Sequence, residues 1–355
     1  MYLLFFLVGL ASCHTVFTTL YVNGNNQGDG VCVRMNHHAN NASFPIEPLS
    51  SPDVACGYNG ESAVSRVCPA SASSTLTFEF REYPDASQPG SIDPSHKGPC
   101  AVYMKKVANA TEDSNAAGPG WFKIWEYTYA DGKWCTEKLI ENNGHISVTI
   151  PEDIQAGYYL VRPELLALHA AQDDPPDPQF YVGCAQIFIK DGGNAKPETV
   201  EIGQGTYDLS MPGLTYNIYE TPLKLPYPMP GPDVYTPGQK EKSKRSAMVQ
   251  TDGLKPDGCI LVRDNWCGFE VPSYTDQEGC WKASQNCWSQ GDDCWASVPP
   301  TGGSNCKIWE EKCHDIDDHC NNQVFPGPPH KGKDLTPKPT PLKSKASFKR
   351  HKRVH

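Results

Sequence analysis

Long apolar runs are nearly absent from this chain. After the opening residues Met1 to Leu10, no stretch approaches the ~20 apolar residues that a membrane span needs, and the opening stretch is itself too short for that role. Basic residues are scarce outside the extreme C-terminus. Nine Lys/Arg and one Asp lie between Lys331 and the end, so a net charge of −10 leaves about −18 on the rest. An acidic body argues against a nucleic-acid partner. Helical periodicity is also scarce before about residue 235, which argues against a helical bundle. No membrane span is expected, and a monomer is expected; the basic tail could touch an anionic surface or be a disordered, solvated end.

Cysteine is abundant. Of 15 cysteines, Cys13 falls in the opening segment, six lie between Cys32 and Cys184, and eight lie between Cys259 and Cys320. Even numbers in each group suit two separate disulfide frameworks in an oxidising compartment. Met1 to Leu10 followed by the small residues Ala11-Ser12-Cys13 reads as a secretory signal peptide, though without a basic n-region. The protein is therefore expected to be secreted. Cleavage after Cys13 would make His14 the first residue. Its α-amine and its imidazole could then chelate one metal ion together, because the amine gives up its proton readily. Asn41-Ala-Ser43 and Asn109-Ala-Thr111 are N-glycosylation sequons, at Asn41 and Asn109.

From His14 to about Tyr235 the signals are mostly β. Leu76 to Phe80 and Ile146 to Ile150 alternate apolar and polar residues. Val102 to Met104 and Tyr158 to Val161 read as further short strands, and Phe180 to Ile189 as one longer strand. Clusters such as Asn23-Gly24-Asn25-Asn26 and Asp191-Gly192-Gly193 separate them. The expectation is a mainly β fold: an antiparallel, immunoglobulin- or fibronectin-like β-sandwich with long loops.

The expected division is a signal peptide (1–13), the sandwich (14–235), a linker (236–257), a small disulfide-rich module (258–321) and a basic, disordered tail (322–355). Lys244-Arg245 in the linker is either a processing site or an ordinary charge cluster. In the module, Cys280, Cys287 and Cys294 recur every seven residues, as do Cys306, Cys313 and Cys320, which would align each set along a helix. Trp281, Trp288 and Trp295 each follow a cysteine; they could fill a small core or stack on sugars. Cys313-His314 and His319-Cys320 admit a zinc reading, but disulfides are the expectation for a secreted module.

Two internal residues stand out. His96, in Asp93-Pro94-Ser95-His96-Lys97-Gly98-Pro99, sits on a rigid loop suited to a metal ligand. Tyr181 shares a strand face with Gln179, with Phe180 on the opposite face. His169, after Leu165-Leu166-Ala167-Leu168, reads alone as a buried histidine. Together with Gly120-Trp121-Phe122-Lys123-Ile124, Arg162-x-Glu164-x-x-Ala167-Leu168-His169 and Gln179-Phe180-Tyr181-x-x-Cys184-Ala185-Gln186, these motifs give a resemblance. The chain from His14 to about Tyr235 resembles the fungal lytic polysaccharide monooxygenases of auxiliary activity family 9, once classed as glycoside hydrolase family 61.

The resemblance implies one copper ion. His14 would bind it through its amine and Nδ1, and His96 through Nε2, with Tyr181 as an axial neighbour. Nitrogen ligands of this kind suit Cu(II). It implies catalytic roles for His169, Gln179 and Tyr181, and a polar pair, Arg162 and Glu164, near His169. Pro163 stands where many relatives have His. It implies a Cys56–Cys184 bridge, leaving Cys100 with Cys135 and Cys32 with Cys68. Tyr227 matches a surface tyrosine that would bind substrate by stacking, with loop packing as the alternative. The implied activity is oxidative cleavage of β-1,4 bonds in cellulose or a related polysaccharide, at carbon 1 or carbon 4. An external electron donor and oxygen or hydrogen peroxide would be consumed. A glycoside hydrolase, needing two carboxylates across the bond, and a non-catalytic copper- or wall-binding protein are the competing readings.

Overall fold

The computed structural model describes residues 14–38, 40–238, 246–263, 265–338 and 341. The expected signal peptide and the Lys244-Arg245 pair lie outside the described residues, as does the end of the tail beyond 341.

Alternation builds the smaller sheet. Its order is His145–Thr149, Thr75–Arg81, Val16–Val22, Asn25–Asp29. Leu20, Phe78 and Ile146 stand side by side across three strands and are fully buried. Each such side chain contributes about 1.5–3 kcal/mol relative to exposure. Glu79 and His145 stand opposite each other on the outer face. There Glu79 accepts hydrogen bonds from Tyr21 Oη (2.6 Å) and Arg81 Nε (2.7 Å).

The larger sheet is centred on Gly157–Ala170, a 14-residue strand buried almost throughout. It pairs with Cys100–Val107 on one side and with Asp177–Val182 and Cys184–Ile189 on the other. Val161, Leu165 and Ala167 pack into the core between the sheets, while Leu160, Leu166 and Leu168 pack under the long loops with Phe180 and Tyr207. Both faces being buried removes the polar alternation that marks a strand, so the sequence exposes only the Tyr158 to Val161 fragment. Cys68–Ala70 with Cys184–Ile189 is parallel, as are the isolated bridges Ile154↔Ala195 and Gln155↔Gly193; the other named strands of the sandwich pair antiparallel, as expected.

Phe180 to Ile189 is two strands rather than one. The register runs through from Val161↔Ala185 to Glu164↔Val182, so Gly183 at the break faces Pro163. Proline has no N–H to give to a ladder. Three disulfides, Cys32–Cys68, Cys56–Cys184 and Cys100–Cys135, tie loops to this sheet.

The C-terminal module is a helical hairpin, Gln277–Ala296 and Ser304–Asn321, preceded by the strands Cys259–Arg263 and Trp266–Phe269. The seven-residue cysteine rows face each other and bond as Cys280–Cys320, Cys287–Cys313 and Cys294–Cys306, with Cys259–Cys267 closing the strand pair. No thiol is left for zinc.

Two stretches differ from expectation. Within the 236–257 linker, Ser246–Ala247 pairs with Asp191–Gly192, and the amides of Thr251 (2.9 Å) and Asp252 (2.8 Å) donate to Tyr158 Oη. Val67 N donates to Gly253 O (2.9 Å). Backbone groups at an open sheet edge seek partners, so this stretch is a strap on the sandwich, not a free tether. Similarly, the start of the expected tail packs on the module: Gly327 and Tyr274 exchange backbone hydrogen bonds, and Leu335 N donates to Ile260 O (2.7 Å). Among the described residues, no helix is long and apolar enough to cross a membrane.

Candidate metal centre

Three rings meet at one end of the sandwich. His14 immediately precedes the buried Thr15 and the first strand. Its ring centroid is 6.2 Å from that of His96 and 6.0 Å from that of Tyr181; His96 and Tyr181 are also 6.0 Å apart. The result is a nearly equilateral triangle of two imidazoles and a phenol.

Backbone packing fixes His96. Leu166 N donates to Pro99 O (3.1 Å) and Leu168 N to Lys97 O (2.9 Å), which lays the loop along the central strand. Gly98 makes this approach possible, because a Cβ there would come within 1.8 Å of Leu166 O. The same contact brings His96 beside His169, with ring centroids 4.0 Å apart. Tyr181 and Gln179 come from the neighbouring strand, opposite Leu165 and Ala167. Tyr181 Oη donates to Gln179 Oε1 (2.7 Å), and Gln179 Nε2 donates to Asp177 Oδ2 (2.8 Å). The hydroxyl is thereby turned, leaving its oxygen lone pairs toward other groups.

The donor set suits a metal that prefers imidazole. Burial, then the neighbouring His169 and His14, pushes the His96 imidazole down to about 4 in spite of Asp93. Burial likewise lowers His14 and His169. Neutral rings are what metal ligation requires. His96 Nδ1 lies 3.2 Å from Ser95 Oγ, while His96 Nε2 is buried with no hydrogen-bond partner among the described residues, as is His169 Nδ1. A buried ring nitrogen left unpaired is costly, and a bound metal ion would offset that cost. Among the described residues no group of three or more His, Cys, Asp or Glu is arranged to hold a metal, so an ion here would depend on two imidazoles and a main-chain amine.

One implied role does not survive. Tyr227 is 5 % exposed: its hydroxyl donates to Gly213 O (2.7 Å), and its ring packs edge-on against Trp134 and Tyr216. It is loop packing and has no face to offer a substrate. Arg162 and Glu164 form a fully buried pair, joined by Tyr207, whose hydroxyl donates to Glu164 (2.8 Å), while Arg162 donates to Val54 O. Period two puts them with Leu160 and Leu166, on the face away from the histidines. Asn41 is exposed, and Asn109 Oδ1 accepts from Thr111 N (2.9 Å) and Oγ1 (2.8 Å).

The sequence reading missed two aromatics. Tyr219 is 65 % exposed, and its hydroxyl donates to His169 O (3.0 Å). Phe44, also exposed, meets the His14 ring edge-on at 4.9 Å. They flank the triangle from two separate loops. Nothing local marks either residue; only the fold brings them there.

Comparison with known proteins is consistent across the chain. A family model described as "Auxiliary Activity family 9 (formerly GH61)" matches residues 14–227. The "AA9 family lytic polysaccharide monooxygenase C" of Aspergillus tamarii is 63 % identical over 358 residues, 98 % of this chain and 96 % of that protein. The corresponding protein A of Emericella nidulans is 60 % identical over 92 % of this chain and 58 % of its own length. Among solved structures, CvAA9A superposes with a TM-score of 0.56 at 33 % identity, covering 62 % of this chain and 98 % of that one. The histidine-bearing sandwich therefore has its counterparts in one group of oxidative enzymes, and the chain belongs to auxiliary activity family 9, the lytic polysaccharide monooxygenases.

Proposed function

We propose that the mature protein is a secreted, copper-dependent monooxygenase that cleaves β-1,4 bonds of cellulose or a related β-glucan. The observation that carries this reading is the triangle of His14, His96 and Tyr181, with an unpaired buried nitrogen on His96. His14, once freed by cleavage after Cys13, would supply its amine and ring; His96 would supply Nε2, and Tyr181 a neighbouring oxygen. Copper bound there supplies the one-electron chemistry by which oxygen or hydrogen peroxide, with an external reductant, oxidises carbon 1 or carbon 4 of a sugar.

The chain's own residues do the rest. His169, neutral and held against His96, would offer the oxidant a ring N–H as a hydrogen-bond donor and so orient it. Gln179 fixes the Tyr181 hydroxyl and is itself fixed by Asp177. Tyr219 and Phe44 replace Tyr227 as the aromatics that meet the sugar chain. Asn41 and Asn109 would carry glycans, and 14–235 and 258–321 would be the two units, joined by the strap. The signal peptide thus has a second role: its removal creates the third nitrogen.

The test compares the protein beginning at His14 with one carrying a single additional residue before it. Calorimetric copper titration and mass spectrometry of products from cellulose plus ascorbate are read in parallel. The extension is expected to weaken copper binding by orders of magnitude and to abolish aldonic acids and 4-keto sugars. Unchanged oxidised products from the extended protein would sink the reading. Plain reducing ends released without reductant would favour hydrolysis.

A further inference from the structure

The Gln277–Ala296 helix carries a line of tryptophans that the oxidative site does not use. Trp281, Trp288 and Trp295 recur every seven residues. Seven residues drift only about 20° around a helix, and a rise of 1.5 Å per residue spaces neighbours about 10.5 Å apart. The three positions therefore lie in a nearly straight row along one side of the helix. The scaffold beneath is stapled, because Cys280, Cys287 and Cys294, one position before each tryptophan, are bridged to the second helix.

The second helix also holds two of the rings. Trp288 Nε1 donates to Asp317 Oδ2 (3.0 Å), and Trp295 Nε1 donates to Glu310 Oε1 (2.8 Å). The Trp295 ring lies over Gly303, where a Cβ would come within 2.3 Å. The interior is filled by the completely buried Trp309, Leu261 and Ile316; Trp288 is half-buried against it and meets His314 edge-on (4.9 Å), whereas the two outer rings are not part of that core. Trp281 and Trp295 remain 38 % and 40 % exposed. Large aromatics held rigid yet open are a feature of binding surfaces.

We propose that this row is a docking platform for one extended β-1,4-glucan chain, with indole faces stacking on alternate sugars. Such a chain flips by half a turn at each linkage, so the same sugar face recurs every second residue, over a length close to the step between these tryptophans. The charge around the row fits an uncharged ligand. Residues 258 to 321 hold eleven Asp/Glu against four Lys/Arg, which repels nucleic acid and anionic lipid. Glu310, at the edge of the Trp295 ring, would offer a carboxylate oxygen to a sugar hydroxyl, while both Asp317 oxygens accept from Ser284 and Trp288. The choice of glucan rests on the reading of the oxidative site above; the platform would hold the enzyme on the polymer that site attacks.

The experiment measures depletion of the full-length, copper-loaded protein by microcrystalline cellulose without reductant, so no catalysis enters the readout. W281A/W295A is expected to weaken retention about tenfold, and W281Y/W295Y to recover most of it. Mass spectrometry of the unreduced variants checks that all bridges are intact, and amylose serves as the control polymer. Retention of W281A/W295A equal to wild type, equal binding of wild type to amylose, or no cellulose binding at all would overturn the platform. Because products are not measured, absence of oxidised sugars in the separate assay would count against the copper reading alone.

Discussion

The sandwich and the module solve the same stability problem in opposite ways. The sandwich buries Phe17, Phe78, Phe80 and many aliphatic residues between its sheets. Its bridges are additions to a core that is already large; Cys56–Cys184 spans 128 residues and ties a loop to the sheet. The module has only a small apolar cluster around Trp309, and its bridges join residues 8, 40, 26 and 12 apart in sequence. A core of that size rarely suffices alone. The difference teaches that one part of this chain is held by packing and the other by covalent rungs, which makes the contrast open to experiment.

The largest expected effect is on the module. Replacing Cys287 and Cys313 together by Ser should cost about 3–4 kcal/mol and melt the hairpin while the sandwich transition stays in place. Calorimetry with hydrogen exchange reads the two regions separately. A single merged transition would erase the contrast.

The next test addresses polar support within the sandwich. Burial alone would raise the Glu79 carboxyl, but His145, Arg81 and Tyr21 hold it down at about 2. A lowered folded-state value means stability that is present above the unfolded value near 4.3 and is lost as pH falls toward 2. Denaturant titrations should therefore lose about 2–3 kcal/mol across that window, and Glu79→Gln should flatten the loss. A wild-type and a variant curve of the same slope would remove Glu79 from the account.

Gly98→Ala should cost about 1–3 kcal/mol, because the loop must lift from Leu166 O. It should also weaken copper binding about tenfold by moving His96; calorimetric titration reports it. Unaltered affinity would separate loop packing from ligand placement.

The smallest stability effect belongs to Tyr219→Ala, expected within about 0.5 kcal/mol of wild type. Its apparent affinity for soluble cello-oligosaccharides should nonetheless fall about tenfold. A change in melting temperature without a change in affinity would make Tyr219 a structural residue after all.

Legibility in the sequence followed burial. Strands with one wet face announced themselves by alternation, as Thr75–Arg81 and His145–Thr149 did. Gly157–Ala170 showed only a fragment, because two buried faces leave nothing polar to alternate. The cysteine period of seven was readable as a helix, since covalent partners must line up whatever surrounds them. Within the site, His14 and His96 had local context, a cleavage signal and a rigid Pro-Gly loop. His169 had none and was visible only through family resemblance. For Tyr227 the resemblance implies stacking, but local sequence does not show that Trp134, distant in the chain, covers its ring. Tyr219 and Phe44 are functional candidates only by virtue of where separate loops end up.

The strap at 246–254 has a consequence for processing. Among the described residues every bridge lies wholly within the sandwich or wholly within the module. A protease cutting at Lys244-Arg245 would sever the one covalent connection and yet release nothing at once. The downstream piece would stay moored through the Ser246–Ala247 pairing, the Tyr158 hydroxyl and Asn265, whose Nδ2 donates to Gly30 O (2.9 Å). The nicked enzyme would then be a two-chain complex whose integrity depends on dilution, and the gel pattern and the hydrodynamic size of one sample would disagree.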